Sequence, residues 1–164
     1  MFSFLEEYKL KEDLFEEKGL EKVMKYRHHF YMPYPEDLPK ALATFDPFPV
    51  ELKAFYEQTG FGFMHRRKGK SNRLLDPISL ILINLRQDEC KYDKFLEKTL
   101  AQYDTSKQLL FFHSDKGEYI AINRKDTNGS NSVFYKQHKL TGSLLEFITL
   151  YHKNEHWLDD MIEQ

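Results

Sequence analysis

Cysteine is nearly missing from this 164-residue chain, where Cys90 stands alone. A lone thiol cannot close an internal disulfide, and it excludes a zinc site built on paired cysteines. Its setting in "QDEC" is acidic, which raises a thiol pKa and works against a nucleophilic role. Long hydrophobic runs are missing too. The longest, Ile78 to Leu85, is broken by Ser79 and Asn84 and is far too short to span a bilayer. The opening "MFSFLEEYKLKEDLFEEKG" carries acids where a secretory signal needs a basic stretch and an apolar core. The expected location is therefore the cytoplasm, with no membrane contact. No excess of one charge exists either: the net charge is −2 and the pI near 6.4, which argues against a dedicated nucleic-acid binder.

What the chain does have is a globular balance, 41% apolar and 30% charged, enough for one domain with a sizeable core. Aromatics reach 15%, with 14 Phe and 10 Tyr against one Trp, so the core is expected to be packed largely by rings. Ser3 and Glu6 have capping-box spacing, and Phe4, Leu5, Tyr8 and Phe15 follow as an amphipathic helix ending near Gly19. A second helical stretch is expected over Leu20 to Phe30. Five of the six prolines fall in "YMPYPEDLPKALATFDPFP", an irregular connector with one short helix at Leu38 to Thr44. Residues 1–45 are thus expected to form a helical extension packed on a domain spanning 46–164.

From Pro49 the pattern Leu52, Phe55, Tyr56, Thr59 marks one helix face, and Gly60 stands where a C-cap glycine belongs. The period then changes to two over Phe61 to Arg66, a strand, with turn residues in "KGKSN" and a return strand from Arg73. Asp76-Pro77 opens another helix, "QDECKY" reads as a loop, and Tyr92 to Tyr103 is helical with Phe95, Leu96, Thr99, Leu100 and Tyr103 on one side. "QLLFFHS", "EYIAINR" and "SVFYKQ" form an antiparallel meander. Ser143 and Glu146 then cap the helix "LLEFITLYHKN", and a last turn or two covers Trp157 to Ile162. The fold class is α+β: one twisted antiparallel sheet with helices packed on a face.

The motifs that suggest chemistry fail on spacing. Gly69-Lys70-Ser71 resembles the end of a P-loop, but Met64 occupies the first glycine position and a strand follows where a helix is required. Gly60 and Gly62 follow a helix, and His65 replaces the third glycine of a dinucleotide fingerprint. "HKNEH" matches an H-x-x-E-H zinc pattern through His152, Glu155 and His156, a remote hydrolase reading. It lies close to the C-terminus, with only Asp159, Asp160 and Glu163 left to supply a third ligand. His28-His29 sits among aromatics, "DTNGSN" lacks calcium-loop spacing, and no Gly-x-Ser-x-Gly elbow occurs. No cofactor, metal or catalytic residue is expected.

The order of elements resembles the SUKH superfamily, which includes fungal cell-wall synthesis regulators. The resemblance rests on "FPVELKAFYEQTGFGF", "NRLLDP", "LLFFHSDKGEYIAIN" and "VFYKQHKLTGSLLEFI", roughly Asp46 to Tyr151. It implies an α+β domain without a catalytic centre. In bacteria such domains are immunity proteins that neutralise polymorphic toxins, often nucleases; in eukaryotes they are regulators or adaptors. The expected function is toxin neutralisation by occlusion, with a cytoplasmic regulatory scaffold as the alternative. Two patches are candidates for the partner: the basic hairpin tip Arg66, Arg67 and Lys68, and Trp157 flanked by Asp159, Asp160 and Glu163. The basic tip also leaves open a nucleic-acid contact, disfavoured by the charge balance.

Overall fold

Two glycines decide how the N-terminal segment joins the rest of the chain. In the computed structural model, which describes residues 1–10, 27–67 and 69–164, strand β2 (His29–Tyr31) runs antiparallel to β3 (Phe61–Arg67). A Cβ on Gly60 would lie 2.0 Å from the Tyr31 carbonyl oxygen, and one on Gly62 2.0 Å from that of His29. Gly60 also has φ +95°, a conformation that L side chains rarely adopt. The missing Cβ atoms thus admit β2 to the sheet. β1 (Lys9–Leu10) adds outside it in parallel, Lys9 opposite Phe30. The helix expected from Ser3 is a 3-10 helix over Ser3–Tyr8 that leads directly into β1. Of the second expected helix, His29 and Phe30 lie in β2, and residues 11–26 lie outside the described residues.

Among the described residues eight strands form one sheet in chain order, β1 to β8, and every pair but the first is antiparallel. β4 is Lys70–Leu74, β5 Gln108–His113, β6 Tyr119–Asn123, β7 Val133–Tyr135 and β8 His138–Thr141. β8 lies beyond the three expected meander strands, between "SVFYKQ" and the helix capped by Ser143. Helix α1 (Asp37–Thr44) and α2 (Val50–Gln58) precede β3, and α3 (Pro77–Leu85) and α4 (Lys94–Leu100) lie between β4 and β5. α5 (Leu144–Lys153) and α6 (Trp157–Ile162) close the chain. "DECKY" in the expected loop is a 3-10 helix, and α4 is shorter than its sequence pattern. The fold is a single α+β domain, as its grammar indicates.

The core is aromatic. Phe2, Phe30, Phe55, Phe111, Phe112 and Phe147 are all buried, each worth roughly 2–3 kcal/mol of apolar burial. A register shift between Leu110 and Phe112 lets the adjacent Phe111 and Phe112 both reach this core. Leu110 and Ala121 face the other side, where Leu96, Leu100 and Tyr103 cover them. Helices therefore pack on both faces of the sheet around β5, not on one. Phe95, expected beside Leu96, is instead 60% exposed.

Helix starts follow their caps. Asp76 accepts the Ile78 and Ser79 amides, Asp93 those of Phe95 and Leu96, and Ser143 that of Glu146 at 3.0 Å. A further cap comes from a distance. Glu51, 3% exposed in the first turn of α2, accepts the amides of Asn131 at 2.6 Å, Leu144 at 2.9 Å and Leu145 at 3.3 Å. Asn131 reciprocates, its Oδ1 accepting from the Glu51 amide at 3.0 Å. One carboxylate thus ties α2, the loop before β7 and the start of α5 together. Among the described residues no helix is long and apolar enough to cross a membrane.

Candidate functional site

The tip of the β3–β4 hairpin, the β5–β6 turn and the end of α5 converge on one polar cavity of about 190 Å³. The buried side chain of Asn72 on β4 positions the two turns: its Oδ1 accepts the Asp115 amide at 2.9 Å. Ser114 shapes the β5–β6 turn, its Oγ accepting the Glu118 amide at 3.1 Å. His65, in a positive-φ kink of β3, donates from Nε2 to the Tyr151 carbonyl at 2.5 Å. That carbonyl is one of the orphan acceptors at the C-terminal end of α5, so His65 acts as its cap.

Ion pairs form the rim. Glu155, just beyond α5, pairs with Arg67 from the hairpin tip and, at 3.4 Å, with Arg27. Lys116 from the β5–β6 turn reaches Asp159 at 3.1 Å and Glu163 at 3.3 Å on the C-terminal side. Arg67 holds the Glu155 carboxyl below its ordinary range, chiefly by hydrogen bond, and the Asp159 and Glu163 bonds raise the Lys116 ammonium. All these pairs face water, where solvent screening leaves each worth little, so they orient the rim more than they stabilise the fold.

The floor is Tyr151. Its side chain is 2% exposed, its ring packing on His65, Phe112 and Phe147. Its hydroxyl faces the cavity with no hydrogen-bond partner among the described residues. Burial raises its pKa, and the carboxylates of Asp115, Asp159 and Glu155 raise it further against the opposing Arg67. Asp115 is half-buried, and its carboxylate makes no ion pair among the described residues.

Behind the floor lies a histidine cluster. His28 Nδ1 accepts the His65 amide at 3.1 Å, and its ring stands 4.5 Å from His65 and 5.0 Å from His152. Tyr8 and Phe4 complete the cluster from the N-terminal segment, at 4.9 Å from His28 and 5.4 Å from His152. Burial depresses all three imidazoles, His28 to about 3.

The expected partner residues divide. Arg67, Asp159 and Glu163 meet around the cavity. Arg66 is turned away, its guanidinium 5.2 Å from the Phe63 ring centre. Trp157 packs edge-on against Phe147 at 5.5 Å on the border of the core, and Asp160 is exposed. Lys68 lies outside the described residues. The zinc pattern does not form the geometry it requires. α5 ends at Lys153, so His156 is in the following turn while His152 points into the aromatic cluster, and the two do not share a helix face. Among the described residues no group of three or more His, Cys, Asp or Glu is placed to hold a metal ion. Burial, and after it Glu89, Asp93 and Asp88, pushes the Cys90 thiol up, in the direction its acidic setting indicates.

The chain resembles an immunity protein. It is 28% identical over 115 residues to the immunity protein YxxD of Bacillus subtilis strain 168, an alignment spanning 70% of this chain and 76% of that protein. No family model matches the chain, and no solved structure matches it. Sequence reasoning missed Asp115, Lys116 and Tyr151. The first two lie in an ordinary "DKG" turn, and Tyr151 follows the apolar period of α5, so no local signal separates them from scaffold.

Proposed function

We propose that this chain is an immunity protein of the SUKH type. It acts without catalysis in the cytoplasm by binding a toxin protein and covering its functional surface. The similarity to the Bacillus immunity protein carries the reading. The structure supports it with a face suited to recognition. Residues of two turns and the C-terminal helices stand around a polar cavity, held in place by mutual ion pairs. Fixed charges of both signs favour a specific partner and penalise a mismatched one, because each wrong neighbour leaves a like-charge contact or a desolvated ion. A nuclease is the proposed toxin class.

Co-expression tests this directly. The toxin domain encoded beside this gene is expressed with and without the chain. Rescue of growth and co-elution of a stable complex are expected. Neither rescue nor a complex would end the immunity reading.

A further inference from the structure

The cavity holds two polar groups that the protein itself leaves unanswered. Tyr151 is almost fully buried, yet its hydroxyl opens on the cavity without a hydrogen-bond partner among the described residues. Buried hydroxyls ordinarily find partners, and the cost of leaving one unmade falls away when a ligand supplies it. Asp115, on the wall, has its amide fixed by Asn72 while its carboxylate pairs with nothing described. No described cation of the rim forms an ion pair with it: Arg67 feels its charge but bonds Glu155, Lys116 bonds Asp159 and Glu163, and Lys70 lines the cavity without pairing to it. The charges acting most on the Tyr151 hydroxyl are three carboxylates against one guanidinium. A volume of about 190 Å³ exceeds many-fold the roughly 10–15 Å³ that one water needs.

We infer that this cavity receives an arginine side chain of the toxin, its guanidinium donating to the Asp115 carboxylate and to the Tyr151 hydroxyl oxygen. The inference rests on the immunity reading and names what that partner must present. Guanidinium fits better than ammonium because its five N–H donors in a planar fork can serve a wall acceptor and a floor acceptor at once, and because it is the more weakly hydrated cation. The complex converts a solvent-filled pocket into a desolvated charge pair, the kind of contact that dominates interface energetics.

Binding of the neighbouring toxin domain is measured by calorimetry for the wild type, Asp115→Asn, Tyr151→Phe and Lys70→Gln. Asp115→Asn is expected to weaken binding roughly 10- to 100-fold and Tyr151→Phe about 10-fold, as for hydrogen bonds to charged groups. Lys70→Gln, which removes a cation lining the same cavity, is expected to raise affinity by relieving repulsion of the incoming guanidinium. Thermal melts and circular dichroism confirm that each variant is folded. Wild-type affinity in both Asp115→Asn and Tyr151→Phe, or a loss confined to Lys70→Gln, overturns the inference while leaving the immunity reading intact. Absence of any wild-type complex ends the immunity reading instead. The inference then stands or falls on titration with N-acetylarginine amide, followed by amide resonances. Shifts at Asp115 and its cavity neighbours that exceed those from N-acetylaspartate amide support it, and the reverse preference, or no shift with either, overturns it.

Discussion

Acidification should loosen the histidine wall before it affects the carboxylates, and the amount can be worked out. His28 is 8% exposed and accepts the His65 amide through Nδ1, so protonation there removes an acceptor as well as burying a charge. Burial is the main cause of its depressed pKa, followed by His65, His152, His29 and Arg27, all cationic or potentially so. In the folded chain His28 stays neutral down to about 3, whereas an unfolded histidine takes up a proton near 6.5. Stability from this group is therefore fully present above 6.5 and is lost as the pH falls from 6.5 towards 3. The slope is about 1.4 kcal/mol per pH unit. At about pH 5 the loss from His28 is about 1–2 kcal/mol, after allowance for residual water contact. His65, His152 and His113, also depressed mainly by burial, add in the same direction. Asp76 and Asp104, whose carboxyls are held below their ordinary 3.8, lose their contribution only at still lower pH, so the window is clean. Urea unfolding followed by Trp157 fluorescence and circular dichroism, at about pH 7.5 and about pH 5, measures the effect. His28→Asn keeps an acceptor for the His65 amide and has no proton to gain. Its loss between the two pH values should be about 1–2 kcal/mol smaller than that of the wild type. Equal losses in the two proteins would refute the reasoning.

Other perturbations separate scaffold from surface. Glu51→Ala strands three amides at the junction of α2, α5 and the loop before β7, and should cost about 3–5 kcal/mol in urea unfolding; a loss below about 1 kcal/mol would show that water replaces the cap. Gly62→Ala places a methyl against the His29 carbonyl and should destabilise by about 2–4 kcal/mol, with faster amide exchange in β2 as the specific sign. Phe111→Ala should cost about 3–5 kcal/mol, as for other fully buried rings. Arg67→Gln breaks the exposed pair with Glu155 and should leave the urea midpoint essentially unchanged, so on the proposed immunity reading a loss of toxin binding in that variant would report on recognition and not on folding.

The parts of the fold that sequence reveals are those governed by neighbours along the chain. Asp76-Pro77, Ser143 and Gly60 stop or start helices through contacts a few residues away, and the β5–β6–β7 meander is written in short turns. The N-terminal segment misleads because Phe4, Leu5 and Tyr8 satisfy helical spacing, while Phe4 packs on His152 and Tyr8 on His28, both from elsewhere in the chain. β2 pairs with a strand more than thirty residues later, at a place two glycines leave open. The site follows the same rule. Arg67, Asp159 and Glu163 stand out as charges near turns and ends. Asp115 and Tyr151 matter only through the cavity they share, and the zinc pattern dissolves because α5 stops one residue after His152.

The rim and the floor of that cavity answer to different demands. Arg67 ends β3, Asp115 and Lys116 lie in the β5–β6 turn and Asp159 in the first turn of α6, and none belongs to the buried core. Exchanging them alters the charge map at little cost to the fold. Tyr151, Phe112 and Phe147 beneath them are fixed by packing. Such an arrangement lets the charge map of this face change by successive rim substitutions while the folding problem stays solved.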